Sequence, residues 1–272
     1  MALVPFPSPQ SGALPIPPDE DDDNPAAGRM SFLEHLDELR KRIVNSAIAI
    51  GVCVVLGFAF INRIVDFILA PTRRALPPGV KMIYTEPREA FSLYIQISLI
   101  MGVVLAAPII MYQVWMFIAP GLYSNEKRLA IPFVLFTTIG FIAGAAFNHY
   151  IAFPFMMAFF ASFNTPDLAF MPKLDDVFGL YTKMLLGMGI VFQMPTVVFF
   201  LAKMKLITAR FLISNLKYAF LIIFIVAAVI TPTGDMVTQS IFAAPMVALY
   251  LLSIGIAWVV GPKRIRAKDA VS

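Results

Sequence analysis

The sequence has little of what a soluble enzyme uses: it has one cysteine, two histidines and few charged residues. Only 14% of its 272 residues are charged and 59% are hydrophobic, which is too apolar for a soluble domain of this length. Cys53 lies in an apolar run, which excludes a disulfide framework. The sequence contains no glycine-rich phosphate loop, serine nucleophile elbow or HExxH pair around His35 or His149. We therefore predict a protein that is not an enzyme, with no catalytic residues, cofactor or metal.

Acidic residues are absent from three long stretches. None lies in residues 90–125, 127–166 or 177–234, and each gap is long enough to cross a membrane. The net charge of +4 comes from basic residues placed between apolar blocks. This placement is typical of membrane topology signals and not of a nucleic-acid-binding face. A lipid bilayer is the predicted environment.

The pattern predicts an all-α polytopic membrane protein with six transmembrane helices. A disordered acidic, proline-rich tail is predicted for residues 1–29, a membrane domain for 30–262 and a basic tail for 263–272. Ser31 to Glu34 resembles a capping box and predicts an interfacial helix before the first span. The fifth span is short, since roughly 14 residues cover only about 21 Å. The predicted spans are Ile43–Ile61, Phe91–Ile118, Leu129 to about Ile151, Val177–Ala202, Tyr218–Thr231 and Ser240–Val260.

Loop charge predicts the orientation. With six spans, 14 Lys and Arg residues lie on the side of the termini and 6 on the other, which places both termini in the cytoplasm. The first external loop, residues 62–90, is an exception with five basic residues. The uncharged block after Ile151 could hide a seventh crossing, but the loop charges argue against it.

Prolines within the apolar blocks predict kinked helices that enclose a concave, cupped surface. The sequence has no internal repeat of the kind found in inverted-repeat transporters. These prolines are Pro108, Pro132, Pro154, Pro195 and Pro245.

Two carboxylates lie beside basic residues on the predicted cytoplasmic face. Glu38 and Glu126 could each bind one guanidinium through paired hydrogen bonds, a geometry that lysine does not reproduce. The alternative is structural: Glu38 would pair with Arg42 four residues later, and Glu126 would cap the third span. Local sequence alone favours the structural alternative.

Two long runs resemble the TatC family of twin-arginine protein translocases. Residues 32–42 are similar to the family's amino-terminal signature, and residues 107–123 with 126–128 to its first cytoplasmic loop. The resemblance covers about residues 30–262. Further similarity lies at Phe153-Pro154, Phe192–Pro195, Lys217-Tyr218, Thr231-Pro232, Asp235, Gln239 and Ala244–Met246.

The resemblance implies a receptor for twin-arginine signal peptides and a core translocase subunit in the bacterial plasma (inner) membrane. It would export folded proteins with the proton-motive force, assembled as an oligomer with single-span TatA- and TatB-type partners. Glu38 and Glu126 would bind the two arginines, and this shifts the balance towards the binding interpretation. The residues implied to shape the same site are Arg40, Phe117, Pro120 and Tyr123.

A second implied group lies near the other membrane surface. Asp235 and Gln239 would act in assembly or transport, and Thr231 with Gln239 would contact partner helices; a solvated turn with a helix cap is the structural alternative. Gln193 stands where many family members have glutamate. A neutral amide does not titrate, so a proton-linked role is doubtful here, although it can hydrogen bond between helices.

Two rival functions stay open from the residues alone. A secondary transporter of a small solute or protons would use Gln193, Lys183 and the prolines, and would work without single-span partners. A scaffold would organise partners without binding a signal, and removing the charges of Glu38 and Glu126 would leave signal binding intact.

Overall fold

The computed structural model describes residues 32–76, 80–118, 130–165, 167, 170–231 and 235–261. Nearly all of these residues are helical, as the all-α prediction requires. A π-helical segment, Asn148–Ala152, joins α4 to α5 without a turn. The helices are α1 (Phe32–Ala59), α2 (Ile61–Ala75), α3 (Pro87–Ile118), α4 (Ala130–Phe147), α5 (Phe153–Ala161), α6 (Leu174–Val191), α7 (Met194–Lys203), α8 (Ala209–Ser214), α9 (Leu216–Ile230) and α10 (Met236–Val260).

Five helical stretches of the described chain are long and apolar enough to cross a membrane. A further apolar helix, α9, has 15 residues and is therefore only about 22 Å long. This agrees with the short fifth span expected from the sequence. The five long stretches are Leu33–Ala59, Pro87–Ile118, Ala130–Ala161, Leu174–Lys203 and Met236–Val260.

The first helix differs from the prediction. The expected interfacial helix and first span form one continuous helix, α1, because apolar and helix-forming residues run without a break from Phe32 to Ala59. A turn at Phe60 then starts α2, which the sequence analysis had treated as loop. Alternating apolar and charged positions at helical spacing explain α2: it buries Val65, Ile68 and Leu69 and exposes its charges.

The predicted fourth span is interrupted. Its helix ends at Val191 and restarts at Met194, with Pro195 in the first turn of α7. Proline has no N–H to donate and its ring crowds the preceding turn, which accounts for the break. Pro154 lies in the first turn of α5, directly after the π-helical segment. The uncharged block after Ile151 continues the third long apolar stretch as far as Ala161.

The helices pack mainly with a few neighbours each. α1 lies along α3, α3 and α6 flank α4, and α10 contacts α7, α8 and α9. Only 6% of the most apolar 18 residues of α1 are buried, whereas 39% are buried in the corresponding part of α3 and of the stretch that contains α6. The protein therefore holds α1 at its edge, with most of its apolar surface outward.

The core and the surface are both apolar, as expected where lipid replaces water. Large buried side chains fill the centre, including Ile97, Phe153, Phe178, Met184 and Phe242. The surface exposes equally apolar side chains, such as Val229 and Trp258, each 79% exposed. A soluble protein rarely exposes so many large apolar residues together.

The two segments that precede α3 and α6 are joined by backbone and side-chain contacts. The Leu174 N–H donates to the Ile83 carbonyl at 2.8 Å in a parallel bridge. Lys173 Nζ lies 3.1 Å from the carboxylate of Glu89, which is buried and also accepts hydrogen bonds from Thr85. The hydrogen bond to Glu89 raises the pKa of Lys173. We call these contacts the outer clasp, formed by residues 83–89 and 172–174.

Candidate functional site

A polar contact joins α1 to α3 near the start of α1. Glu38 Oε1 accepts a hydrogen bond at 3.0 Å from Arg42, one turn later on the same face. Arg42 also donates to Gln113 Oε1 of α3 at 3.3 Å. One turn further along α3, the Phe117 ring stacks on His35 with centroids 4.4 Å apart. The structure therefore brings Glu38 and Phe117 into one cluster.

This cluster keeps unused hydrogen-bonding capacity. The side chains of Glu38 and Arg42 are only 13% and 18% exposed. Glu38 Oε2 and Arg42 Nε are buried, and neither has a hydrogen-bond partner within the described chain. A half-satisfied buried carboxylate is costly, because burial removes water without replacing its hydrogen bonds. The site can therefore accept one more donor at Glu38.

An apolar groove of about 390 Å³ begins beside the cluster and follows the seam between α1 and α3. Arg42, Gln113 and Phe117 line its polar end. The remaining lining is almost entirely apolar and is made of Leu39, Ile43, Ser46, Ala47, Ile50, Ile110 and Val114. The groove therefore joins a polar end, beside the Glu38–Arg42 ion pair, to an apolar seam.

The other residues of the predicted signal site lie elsewhere. Arg40 is exposed, and two residues along a helix rotate the side chain by roughly 200°, away from the side of Glu38. Pro120, Tyr123 and Glu126 lie outside the described residues. The structural alternative for Glu38, an ion pair with Arg42, is confirmed, and it coexists with the unused acceptor.

Gln193 lies at the break between α6 and α7. Its amide nitrogen donates to the carbonyl oxygens of Thr137 on α4, at 3.0 Å, and Gly189 on α6, at 3.2 Å. The alternative of an interhelical amide is confirmed by these contacts. Gln193 Oε1 is buried and lacks a partner among the described residues.

The second predicted group lies around the α9–α10 connection. Asp235 is the N-cap of α10 and accepts from the Thr238 N–H at 2.7 Å, so the helix cap of its structural alternative is confirmed, while residues 232–234 of the turn lie outside the described residues. Gln239 donates to the Phe224 carbonyl of α9 at 2.8 Å. Thr231 is buried, and its hydroxyl donates to the Ala227 carbonyl of its own helix at 2.6 Å. The two helices are thus tied together by Gln239.

Sequence analysis missed Gln113, which joins α3 to this cluster. Gln113 and the predicted Phe117 stand four apart on one face of α3, as Glu38 and Arg42 do on α1, but no local signal sets the register that brings the two faces together. Nothing local indicated that His149 Nδ1 lies 3.0 Å from the Tyr181 hydroxyl. That contact depends on the packing of the π-helical segment against α6.

The membrane-length apolar helices, with the described polar contacts at helix seams and ends, define a polytopic membrane protein, in which a polar cluster lies where the start of α1 meets the end of α3. Residues 34–245 match the model of the TatC family, described as Sec-independent protein translocase protein. The chain belongs to the TatC family.

Relatives and solved structures agree with this assignment. The Sec-independent protein translocase protein TatC of Desulforapulum autotrophicum is 44% identical over 233 residues, covering 86% of each chain. The TatC protein of Koribacter versatilis is 40% identical over 242 residues, covering 88% of this chain and 89% of the relative. A crystal structure of the twin-arginine translocase receptor TatC superimposes with a TM-score of 0.73 at 36% identity, covering 82% of this chain and 97% of that one. A second, in the detergent DDM, gives 0.74 at 35% identity. These similarities do not favour the small-solute transporter alternative.

Proposed function

We propose that this protein is the twin-arginine signal-peptide receptor and core subunit of a Tat translocase, which exports folded proteins across the membrane using the proton-motive force. The observation that carries the proposal is Glu38 Oε2, a buried acceptor without a hydrogen-bond partner among the described residues, on a carboxylate whose ion-pair partner Arg42 lines the apolar groove. A twin-arginine signal has the matching chemistry, because a guanidinium presents several donors in a fixed plane.

The Glu38–Arg42 ion pair orients the carboxylate for this role. Arg42 occupies one oxygen of Glu38 and is itself held by Gln113, so the second oxygen has a defined position before the ligand arrives. Preorganisation lowers the entropy lost on binding. The same Arg42 disfavours an unpaired incoming cation, which a ligand overcomes only by hydrogen bonding directly to the carboxylate.

The rest of the signal site is assigned by family resemblance. Glu126 would bind the second arginine, while Arg40, Pro120 and Tyr123 would shape the surrounding surface. Phe117 has direct structural support for a shaping role, since it lines the groove and stacks on His35. The groove would receive the first part of the signal's apolar stretch.

We further propose six spans, with α9 as the short fifth, and both termini in the cytoplasm of a bacterium whose plasma membrane holds the protein. Kinked helices would form the concave face that receives the signal. The predicted tails, residues 1–29 and 263–272, lie outside the described residues. The active complex would be an oligomer containing TatA- and TatB-type single-span proteins.

Asp235, Gln239, Thr231 and Gln193 are proposed to act in assembly and transport. Gln239 and Asp235 stabilise the connection between the short α9 and α10, where partner spans would pack. Gln193 would hold α4 against α6 through its amide and would not exchange protons.

The proposal is tested by peptide binding to the purified full chain in detergent. A twin-arginine signal peptide is compared with its twin-lysine version on the wild type, Glu38→Gln, Glu126→Gln and the control Asp37→Asn. Asp37 is exposed on α1 next to Glu38, so its variant removes one charge outside the cluster. We expect Glu38→Gln to weaken twin-arginine binding by roughly 30-fold, from the loss of about 2 kcal/mol for a desolvated charge pair.

The control decides whether the effect is local. Asp37→Asn should bind the twin-arginine peptide as the wild type does, and the twin-lysine peptide should bind weakly to all variants. Two outcomes would contradict the assignment of Glu38 and Glu126 as the signal site and favour the scaffold alternative. One is equal affinity of the wild type for the two peptides, and the other is normal binding by the Glu38→Gln, Glu126→Gln double variant.

A further inference from the structure

A pocket of about 330 Å³ lies at the opposite end of the protein from the start of α1, beside the outer clasp. Arg73, near the end of α2, and Lys81 supply its cationic side chains. The rest of its lining is apolar and consists of Leu76, Val80, Met82 and Leu174. No carboxylate is among these lining residues. The pocket therefore offers positive charge against an apolar wall.

Ion pairs among the described residues account for only part of the positive charge of this region. Arg73 pairs with Asp66 at 3.0 Å and Arg88 with Glu86 at 2.7 Å. Arg63, Arg74 and Lys81 form no ion pair with the described carboxylates. The arginines of α2 also suit its carboxyl end, where the helix dipole favours cations. That explanation does not apply to Lys81, which follows the helix on an extended segment and faces the same pocket.

The pocket lies beside the start of a membrane-length helical stretch. Leu174 in its wall is the first residue of the stretch Leu174–Lys203, which has 30 residues. About 20 residues suffice to cross a hydrocarbon core, so we place the first turn of α6 and the pocket in the headgroup region. The outer clasp fixes the wall, since the Leu174 N–H is hydrogen-bonded to Ile83 and Lys173 to Glu89. Asp175 and Asp176 are exposed on the next residues of α6 and repel anions, so a bound phosphate must rely on direct contact with Arg73 and Lys81.

We propose that this pocket binds the phosphate of an anionic phospholipid, with Arg73 and Lys81 on the headgroup and the apolar wall against the glycerol and upper acyl region. Arg73 supplies planar paired donors and Lys81 a point charge, both of which suit phosphate. The proposal also explains why residues 62–90 carry five basic residues on the predicted external side, against the positive-inside pattern. Their charge would be matched by lipid phosphate. This inference does not depend on the signal site.

The test titrates the purified full chain in a neutral detergent with dioleoylphosphatidylglycerol and, separately, with dioleoylphosphatidylcholine, counting bound lipid by native mass spectrometry. The variants are Lys81→Gln and Arg73→Gln with Lys81→Gln. The matched control is Arg63→Gln with Arg88→Gln, which removes two charges from the same external segment outside the pocket. Lys81 is exposed and off the helices, so Lys81→Gln keeps the test valid if the Arg73 change impairs folding.

We expect the wild type to prefer phosphatidylglycerol. Each basic residue near anionic lipid contributes roughly a factor of five, so Lys81→Gln should weaken binding about 5-fold and the double variant about 30-fold. The control should keep wild-type affinity. Equal binding of the two lipids, or an equal loss in the control, would overturn the proposal. Competition by inorganic phosphate at the same concentration as the lipid would overturn the lipid assignment, since the site would then take a free anion.

Discussion

Replacing Gly144 by alanine should separate α4 from α6 and destabilise the protein. A methyl carbon built on Gly144 would lie 2.5 Å from the Met188 carbonyl oxygen, 2.8 Å from its carbon and 3.0 Å from the Gly189 Cα. All three atoms belong to the backbone of α6, so no side-chain rotation can relieve the clash. Ordinary contact needs about 3.5 Å, and the helices must therefore move apart by about 1 Å.

The expected loss follows from the packing that this movement disturbs. Overpacking a close-packed interior costs about 1–3 kcal/mol, and a clash with backbone belongs in the upper half of that range. For a chain of this size, each kcal/mol lowers the melting midpoint by about 2–4 °C. We therefore expect Gly144→Ala to lower the midpoint by about 5–10 °C. The amide of Gln193 should also be affected, because it bridges the same two helices.

The assay is thermal unfolding of the purified protein in detergent, with Gly51→Ala as the matched control. Gly51 is a helical glycine of α1 with nothing within 4 Å of an added methyl carbon. Its variant should melt at or slightly above the wild type, since alanine is the better helix former. A second variant, Gly189→Ala, would meet the flexible Phe141 ring and should lose less stability than Gly144→Ala.

A Gly144→Ala protein that melts with the wild type would refute this reasoning. It would mean that α4 and α6 are not held at backbone contact in the membrane domain. Equal losses in Gly144→Ala and Gly51→Ala would refute it too, by showing that the effect belongs to glycine substitution in general.

Three further predictions concern Gln193 and the outer clasp. Gln193→Leu should lower the melting midpoint, because the interhelical hydrogen bond to Thr137 and the local one to Gly189 are lost. Proton-coupled export should fall only as far as the amount of folded protein does; a selective loss of coupling with normal stability would contradict this. Glu89→Gln should destabilise the protein more than Glu86→Gln, since Glu89 is buried and bonded to Lys173 whereas Glu86 is exposed. The ion pair needs an ionised Glu89 and a charged Lys173. Because the pKa of Lys173 is raised, the lysine stays charged up to about pH 10.4 and loses its contribution as the pH rises through that raised pKa. As the pH rises, the melting midpoints of the wild type and Lys173→Met should therefore converge only in strong alkali. Convergence near neutral pH would show that the Lys173–Glu89 ion pair does not stabilise the protein.

The hydrophobic pattern predicted most of the membrane helices but not their ends. Long apolar stretches can satisfy their backbone groups in lipid only as helices, which is why their existence followed from composition. The joining of the interfacial segment to α1, and the helix α2 after Phe60, depend on packing against α3 and the core. The break before Met194 was only partly foreseeable, because Pro108 and Pro245 lie inside helices that continue through them.

In the candidate site, too, some contacts could be predicted from the sequence and others arise only from helix packing. Glu38 with Arg42 could be predicted from the sequence, because residues four apart share a helix face. Gln113, the α3 partner of Arg42, could not be identified from the sequence. The two residues are 71 positions apart, and the register between their helices is set only by tertiary packing. Family resemblance supplied the signal-binding hypothesis, while the open oxygen of Glu38 became visible only in the folded chain.

By itself, the sequence determined that this protein is a helical membrane protein, because bilayer thickness and helix geometry constrain the length and composition of apolar stretches. It also carries the TatC signatures. The tertiary structure decided which polar groups meet: Arg42 with Gln113, Gln193 with the Thr137 carbonyl, and Lys173 with Glu89. Hydrogen bonds form over about 3 Å, and side chains distant in sequence come that close only when the helices have packed.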